Sequence, residues 1–250
     1  MAKHKFLIVI SVIIVLLILV NLLLYFFPDM FLGLPNWQPF KSVWSETDKS
    51  TLKSLLQKTQ KITKDHDIQL IAMWGTLLGL VRHKGLIPWD DDVDFVININ
   101  KKKLLLSLKD KFSQAGIGMV EFSSNLVKIF DLSSTLVPGQ KWGWPYIDIF
   151  YYKEKDNKVF TKNAGVKGCF SWWCELFIPT EKINKKDFFP VRISLFEGIP
   201  VHVPNNITLI LESLYGKNWR TFCVPSSFNH RLERPMKQRP GIPCKDLKLE

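Results

Sequence analysis

The sequence predicts an α/β or α+β domain, a mixed sheet with flanking helices, preceded by a single amino-terminal transmembrane helix. Three observations predict it. The chain has 250 residues, 46% of them hydrophobic, enough for one sizeable core. Its periodicities alternate helix, strand, helix, strand, helix, and then give mostly strands with one late helix. An apolar run from Phe6 to Phe27, interrupted only by Ser11 and Asn21, stands apart from that core.

At about 1.5 Å per residue, those roughly 22 residues cross the roughly 30 Å of bilayer hydrocarbon. A cleaved signal peptide is the rival reading. Its apolar region is about 7–15 residues long and ends at small residues, whereas this run ends on Tyr25, Phe26, Phe27 and Pro28. Lys3 and Lys5 precede the run, and no base follows until Lys41. By the positive-inside rule, residues 1–5 form a cytoplasmic tail, 6–27 a signal anchor, and the remainder is luminal or extracellular, a single-pass type II topology. Residues 28–46, with Pro28, Gly33, Pro35 and Pro39, read as a stem.

Residues 47–234 read as the folded domain. Thr47 or Asp48 caps a helix whose apolar face carries Leu52, Leu55, Leu56, Thr59 and Ile62. "IQLIAMW" is a strand of about six residues broken at Gly75, and "TLLGLVRHKG" is a short helix closed by Gly85. Asp92 to Ile99 is the next strand, and Lys101 to Gln114 a helix with Leu104, Leu105 and Leu108 on one side. "LVKIFDL", "YIDIFYY", "VRISLF" and "IPVHVP" are further strands. Asn205 caps a last helix, "NITLILESLYG", stopped at Gly216. Residues 235–250, rich in Pro and Lys, read as a loosely ordered tail.

The formal charge of +11 points to phosphorylated or polyanionic partners, or a membrane surface. The topology argues against nucleic acid, and the bases are scattered and match no nucleic-acid-binding module, so no nucleic-acid partner is expected. Cys169, Cys174, Cys223 and Cys244 allow one or two disulfides or buried free thiols, and no CxxC spacing supports zinc. Asn206-Ile207-Thr208 is an N-glycosylation sequon, in keeping with a luminal location.

The chemistry concentrates in "GLIPWDDDVDFVI". Asp90, Asp91, Asp92 and Asp94 fall within five residues, between apolar flanks. Alternation along a strand puts Asp90, Asp92 and Asp94 on one face and Asp91 on the other. Two carboxylates about 4 Å apart repel by about 4 kcal/mol at an effective dielectric near 20, so protonation, a base or a cation must offset them. A solvated acidic turn leaves the apolar flanks unexplained. A calcium loop starting at Asp90 would need Gly where Phe95 stands and Glu where Lys101 stands. A divalent cation shared with substrate phosphates fits better.

Asp148, between Ile147 and Ile149, is the candidate third ligand. Its alternative role is a buried acid paired with a base or a backbone N–H. Gly75 and Thr76 stand at a strand-to-helix turn, where backbone N–H groups can receive phosphate. Arg82, His83 and Lys84 either reach donor phosphates or are ordinary charges at a helix carboxyl end.

"GTLLGLVRHKGLIPWDDDVD" strongly resembles the signature of the LicD family, shared with fukutin and the fukutin-related protein. "YIDIF" resembles that family's downstream acidic strand, and "GIPVHVPNN…LESLYGKNW" the region beyond it. The likeness covers roughly Asp65 to Trp219. It implies a nucleotidyltransferase-like fold, with Gly75 and Thr76 at the donor phosphates and Asp92, Asp94 and Asp148 holding Mg²⁺ or Mn²⁺. Asp90 becomes an auxiliary acid, and Asp91 is the least secure of the four, since some members carry an uncharged residue there. The zinc-binding insertion of the fukutin-related protein is not evident.

The implied activity is transfer of a phospho-alcohol, such as phosphocholine or ribitol phosphate, from a CDP-alcohol donor to a glycan hydroxyl. The anchor topology puts the domain in the lumen of the Golgi or endoplasmic reticulum. Rival readings are a nucleotide-sugar glycosyltransferase and a non-catalytic luminal scaffold of the same fold.

Overall fold

The computed structural model describes residues 11–21, 40–162, 180–236 and 239–247. The first helix of the domain, α1 (Glu46–Lys64), is capped by Ser45. The Ser45 hydroxyl accepts from the Asp48 N–H, and the Asp48 carboxylate accepts from the Ser45 N–H, each at 3.1 Å. That reciprocal box satisfies two otherwise free donors, and it places the cap just ahead of the Thr47 or Asp48 position expected from sequence. Leu52, Leu55 and Leu56 face the core as expected.

Strand β1 (Ile71–Ala72) has two residues rather than six: helix α2 (Trp74–Arg82) cuts it off at its end, and residues 68–70 lie outside it. Strand β2 (Asp94–Asn98) follows. The helix expected over Lys101 to Gln114 is a 3₁₀ turn and two short helices, α3 (Lys102–Ser107) and α4 (Lys109–Gln114), divided at Leu108. Next come β3 (Ile117–Ser123), β4 (Leu126–Asp131), β5 (Tyr146–Lys155), β6 (Lys158–Lys162), β7 (Thr180–Asn184) and the short α5 (Lys185–Phe188). Strands β8 (Arg192–Phe196) and β9 (Ile199–Val203) precede α6 (Ile207–Tyr215).

The sheet order is β3-β4-β5-β2-β1-β9-β8, with β6 and β7 continuing from β5. Strand β2 is parallel to β5 and antiparallel to β1, and β1 is parallel to β9, so the sheet is mixed, as the sequence predicts. The first seven residues of β5 are all buried, as a strand covered on both faces requires. Asp148 sits in the middle of that run, and β2 brings Asp94 into register beside it.

Asn206, not Asn205, caps α6. Its side-chain oxygen accepts from the Leu209 N–H at 3.3 Å, and its amide donates to Asp187 at 3.3 Å. The sequon side chain is thus engaged within the fold.

Beyond α6 the chain forms two small ribbons. β10 (Phe222–Cys223) pairs with β13 (Ile242–Pro243), and β11 (Phe228–Asn229) with β12 (Arg234–Pro235). A Cys223–Cys244 disulfide ties this region together, so the segment read as a tail is pinned at Ile242 to Cys244. Cys169 and Cys174 lie outside the described residues.

Two expectations at the amino end change. Trp44, assigned to the stem by its proline-rich surroundings, is buried in the domain. The signal anchor over residues 6–27 is overturned: among the described residues no helix is long and apolar enough to cross a membrane. Within that span residues 11–21 are described as helical. The rest of the run lies outside the described residues. The single-pass type II topology and the Golgi or endoplasmic-reticulum address rested on that anchor and are withdrawn with it.

Candidate active site

The acidic turn is held by its backbone, leaving its side chains to converge. The Trp44 indole N–H donates to the Asp90 carbonyl at 2.6 Å, and the Trp144 indole N–H to the Asp91 carbonyl at 2.8 Å. The two indoles stack with centroids 5.0 Å apart, so one aromatic pair fixes two consecutive peptide groups. Trp89 anchors the residue before them through the Val224 carbonyl at 3.0 Å.

Asp94 opens β2, and its backbone is fixed on both sides. Its N–H donates to the Thr76 hydroxyl at 2.7 Å, and its carbonyl accepts from the Met73 N–H at 3.2 Å. The Asp148 N–H donates to the Val93 carbonyl at 2.8 Å. As a result one carboxylate oxygen each from Asp92, Asp94 and Asp148 lie within 4.8 Å of one another. This cluster forms the base of a cleft of about 1010 Å³, which Gly75, Asp90 and Arg82 also line.

Gly75 has a steric role. A Cβ there would lie 2.5 Å from the Asp90 Oδ2, so the missing side chain makes room for that carboxylate. Thr76 is buried and stitches α2 to β2; it is not among the residues lining the cleft. Arg82 lines the cleft while donating to the Trp219 and Phe222 carbonyls at 3.1 and 3.4 Å. The His83 imidazole is pushed down to about 4 by burial and by Arg82 beside it, and packs edge-on against Trp89. It is therefore neutral at neutral pH and is not among the cleft-lining residues; Lys84 is exposed and also outside that lining.

Two basic groups among the acids are not singled out by the sequence. The Lys128 ammonium, buried on β4, donates to both Asp148 oxygens at 2.9 Å. It also lies 3.7 Å from the centroid of the Tyr146 ring. The base-paired role left open for Asp148 is therefore realised, alongside its place in the three-acid cluster. The signal for Lys128 was present: a lone lysine between Val127 and Ile129 on an apolar strand is as costly as Asp148 unless paired.

His230, in the turn between β11 and β12, is the second. Its Nδ1 lies 2.7 Å from the Asp91 Oδ1, and its Nε2 3.2 Å from the Asp92 Oδ2. Burial alone would lower its pKa. The charges of Asp92 and Asp91 and the Asp91 hydrogen bond outweigh that and raise it to about 10, so both ring nitrogens donate at neutral pH. Nothing in its local sequence marks it.

Lys128 and His230 thus contact Asp148, Asp91 and Asp92. Among the described residues no base lies within ion-pair distance of Asp90 or Asp94. Burial first, then repulsion from Asp92, holds both of these carboxyls well above the usual range. Burial likewise raises Asp92 and Asp148, against the opposing pull of His230 and Lys128 respectively. A divalent cation fits this donor set. Asp92, Asp94 and Asp148 each offer one carboxylate oxygen, and these lie within 4.8 Å of one another.

The family model described as "LicD/FKTN/FKRP, nucleotidyltransferase domain" matches residues 67–206. The chain belongs to this family. The match contains Gly75, Thr76, the acidic turn, Lys128 and Asp148, whereas His230 lies beyond it.

Among curated relatives, the LicD lipopolysaccharide cholinephosphotransferase of Haemophilus influenzae is 28% identical over 66% of this chain and 72% of its own. The ribitol-5-phosphate transferase FKTN of Mus musculus is 28% identical over 67% of this chain, which spans only 33% of that protein. A structure of ANT(2")-Ia in complex with adenylyl-2"-tobramycin aligns at a TM-score of 0.37 and 12% identity, over 62% of this chain and 69% of that one.

Proposed function

We propose that the protein is a divalent-cation-dependent phosphotransferase that moves a phospho-alcohol from a CDP-activated donor to a hydroxyl of a glycan. The observation that carries this reading is the convergence of Asp92, Asp94 and Asp148 at the base of a large cleft, within the family-matched domain. The cholinephosphotransferase and ribitol-5-phosphate transferase activities named for two relatives support a phospho-alcohol as the transferred group.

The chemistry is a displacement at phosphorus. The acceptor oxygen forms a bond to the phosphorus bearing the alcohol, the bond from that phosphorus to the bridging oxygen breaks, and CMP leaves. Positioning and electrostatics carry most of such a transfer. Asp92 and Asp94 would hold Mg²⁺ or Mn²⁺, which when bound neutralises the diphosphate and the charge developing on the leaving group. Thr76 keeps Asp94 in place through its backbone N–H. Asp148, held by Lys128, borders the acceptor side and is the group to take the hydroxyl proton. Arg82 contributes a fixed positive charge to the wall of the cleft.

The test is incubation with CDP-choline, CDP-ribitol and a panel of nucleotide sugars, with Mn²⁺ and a glycan acceptor, reading the nucleotide released. CMP release from a CDP-alcohol that is lost in Asp94→Asn supports the reading. UDP or UMP release with no CMP would assign the site to glycosyl transfer instead.

A further inference from the structure

The acids of the turn divide into two jobs. Both Asp91 oxygens are engaged: its Oδ1 meets the His230 Nδ1 at 2.7 Å, and its Oδ2 accepts from the backbone N–H of His230 at 2.8 Å and of Arg231 at 3.2 Å. Such a carboxylate is a latch for the turn between β11 and β12. The turn is held further by the Arg231 guanidinium 3.8 Å above the Trp144 ring, by the Leu232 N–H donating to the Asn229 Oδ1 at 2.9 Å, and by the Cys223–Cys244 disulfide around it. None of these contacts uses the remaining imidazole nitrogen. It points instead at the Asp92 Oδ2, 3.2 Å away, from a side chain that itself lines the cleft.

We propose that His230 is a positioning residue for Asp92: anchored by Asp91, it holds one Asp92 oxygen so that the other faces the cation and the substrate diphosphate. The inference rests on Asp92 being a cation ligand. The linkage Asp91–His230–Asp92 has the form of the outer partners that orient metal ligands in general, whose loss costs about 10–100-fold in metal affinity. It also gives the carboxyl-terminal segment a direct part in the site. All three donors to Asp91, and the donor to Asp92, come from residues beyond the 67–206 match.

Two substitutions separate the two ends of the ring. An asparagine amide can stand near the Nδ1 position and a glutamine amide near the Nε2 position. His230→Asn therefore keeps a donor for Asp91 and loses the one for Asp92, and His230→Gln keeps a donor for Asp92. Mn²⁺ uptake by the full chain is measured by electron paramagnetic resonance of free Mn²⁺, with and without CDP, and melting is followed in EDTA.

The expected result is a tenfold or greater loss of Mn²⁺ affinity in His230→Asn with EDTA melting close to wild type, and affinity within about threefold of wild type in His230→Gln. Wild-type affinity in His230→Asn, or equal affinity losses in both variants together with a lowered EDTA melt, would reduce His230 to a structural contact. Should His230→Asn not fold, His230→Gln decides: retained affinity supports the role and a tenfold loss overturns it. A wild-type protein that takes up no Mn²⁺ overturns the cation site first and this inference with it.

Discussion

Asp148 is where structure and chemistry compete within one side chain. Both its oxygens accept from a buried ammonium, so Asp148→Asn leaves Lys128 without its counter-charge. Breaking a buried pair in this way costs about 3–5 kcal/mol. The substitution is expected to lower the EDTA melting transition strongly, and Lys128→Met added to it should recover part of the loss; full wild-type stability in the single variant would refute the pairing. Asp94 behaves oppositely, since no base contacts it and burial holds its carboxyl well above the usual range. A carboxyl whose folded pKa is raised costs stability as pH rises above its unfolded value near 3.8. Asp94→Asn should therefore melt higher than wild type in EDTA, with the gap small in acid and widening toward neutral pH. Mn²⁺ with CDP should close or reverse that gap, because a ligand stabilises only the state that binds it. Gly75→Ala places a methyl on the Asp90 carboxylate and is expected to reduce transfer far more than stability, read by comparing CMP release with melting.

At the level of elements, what was legible is what alternation and composition carry. Asp92 and Asp94 converge as their two-residue spacing predicts, although β2 begins only at Asp94 rather than at Asp92, and Asp148 declares itself by lying between two isoleucines. Strands β4, β5, β8 and β9 follow their apolar runs. Other features depend on contacts that periodicity does not encode. β1 is cut short because Trp74 turns into α2 with a φ of +43°, a conformation that tertiary packing must impose. Lys128 meets Asp148 only because β4 and β5 pair in that register. His230 reaches Asp91 across 139 residues. The stitch between α2 and β2 can be tested directly. Thr76→Val removes the acceptor for the Asp94 N–H in a buried setting, a cost of about 1–3 kcal/mol, whereas Thr76→Ser keeps the oxygen. Equal melting temperatures for the two variants would show that the hydrogen bond does not hold Asp94 in place.

Taken as a whole, the molecule is a mixed sheet whose central strands present acids to a cleft, with a carboxyl-terminal segment forming the facing wall. The sheet lies largely within the family-matched residues; most of the facing wall does not. The disulfide between Cys223 and Cys244 spans 21 residues and encloses the turn that carries His230. Closing a loop of that length removes about 3 kcal/mol of chain entropy from the unfolded state. With the staple in place, the imidazole is confined near the acids at a high effective concentration. Once it is cut, the imidazole must find them from a longer, freer tether. Cation binding at the proposed site is thereby expected to be sensitive to thiols, through the disulfide rather than through a ligand. Cys223→Ser with Cys244→Ser should weaken Mn²⁺ uptake while leaving far-ultraviolet circular dichroism unchanged, and a mild reductant should do the same to the native chain.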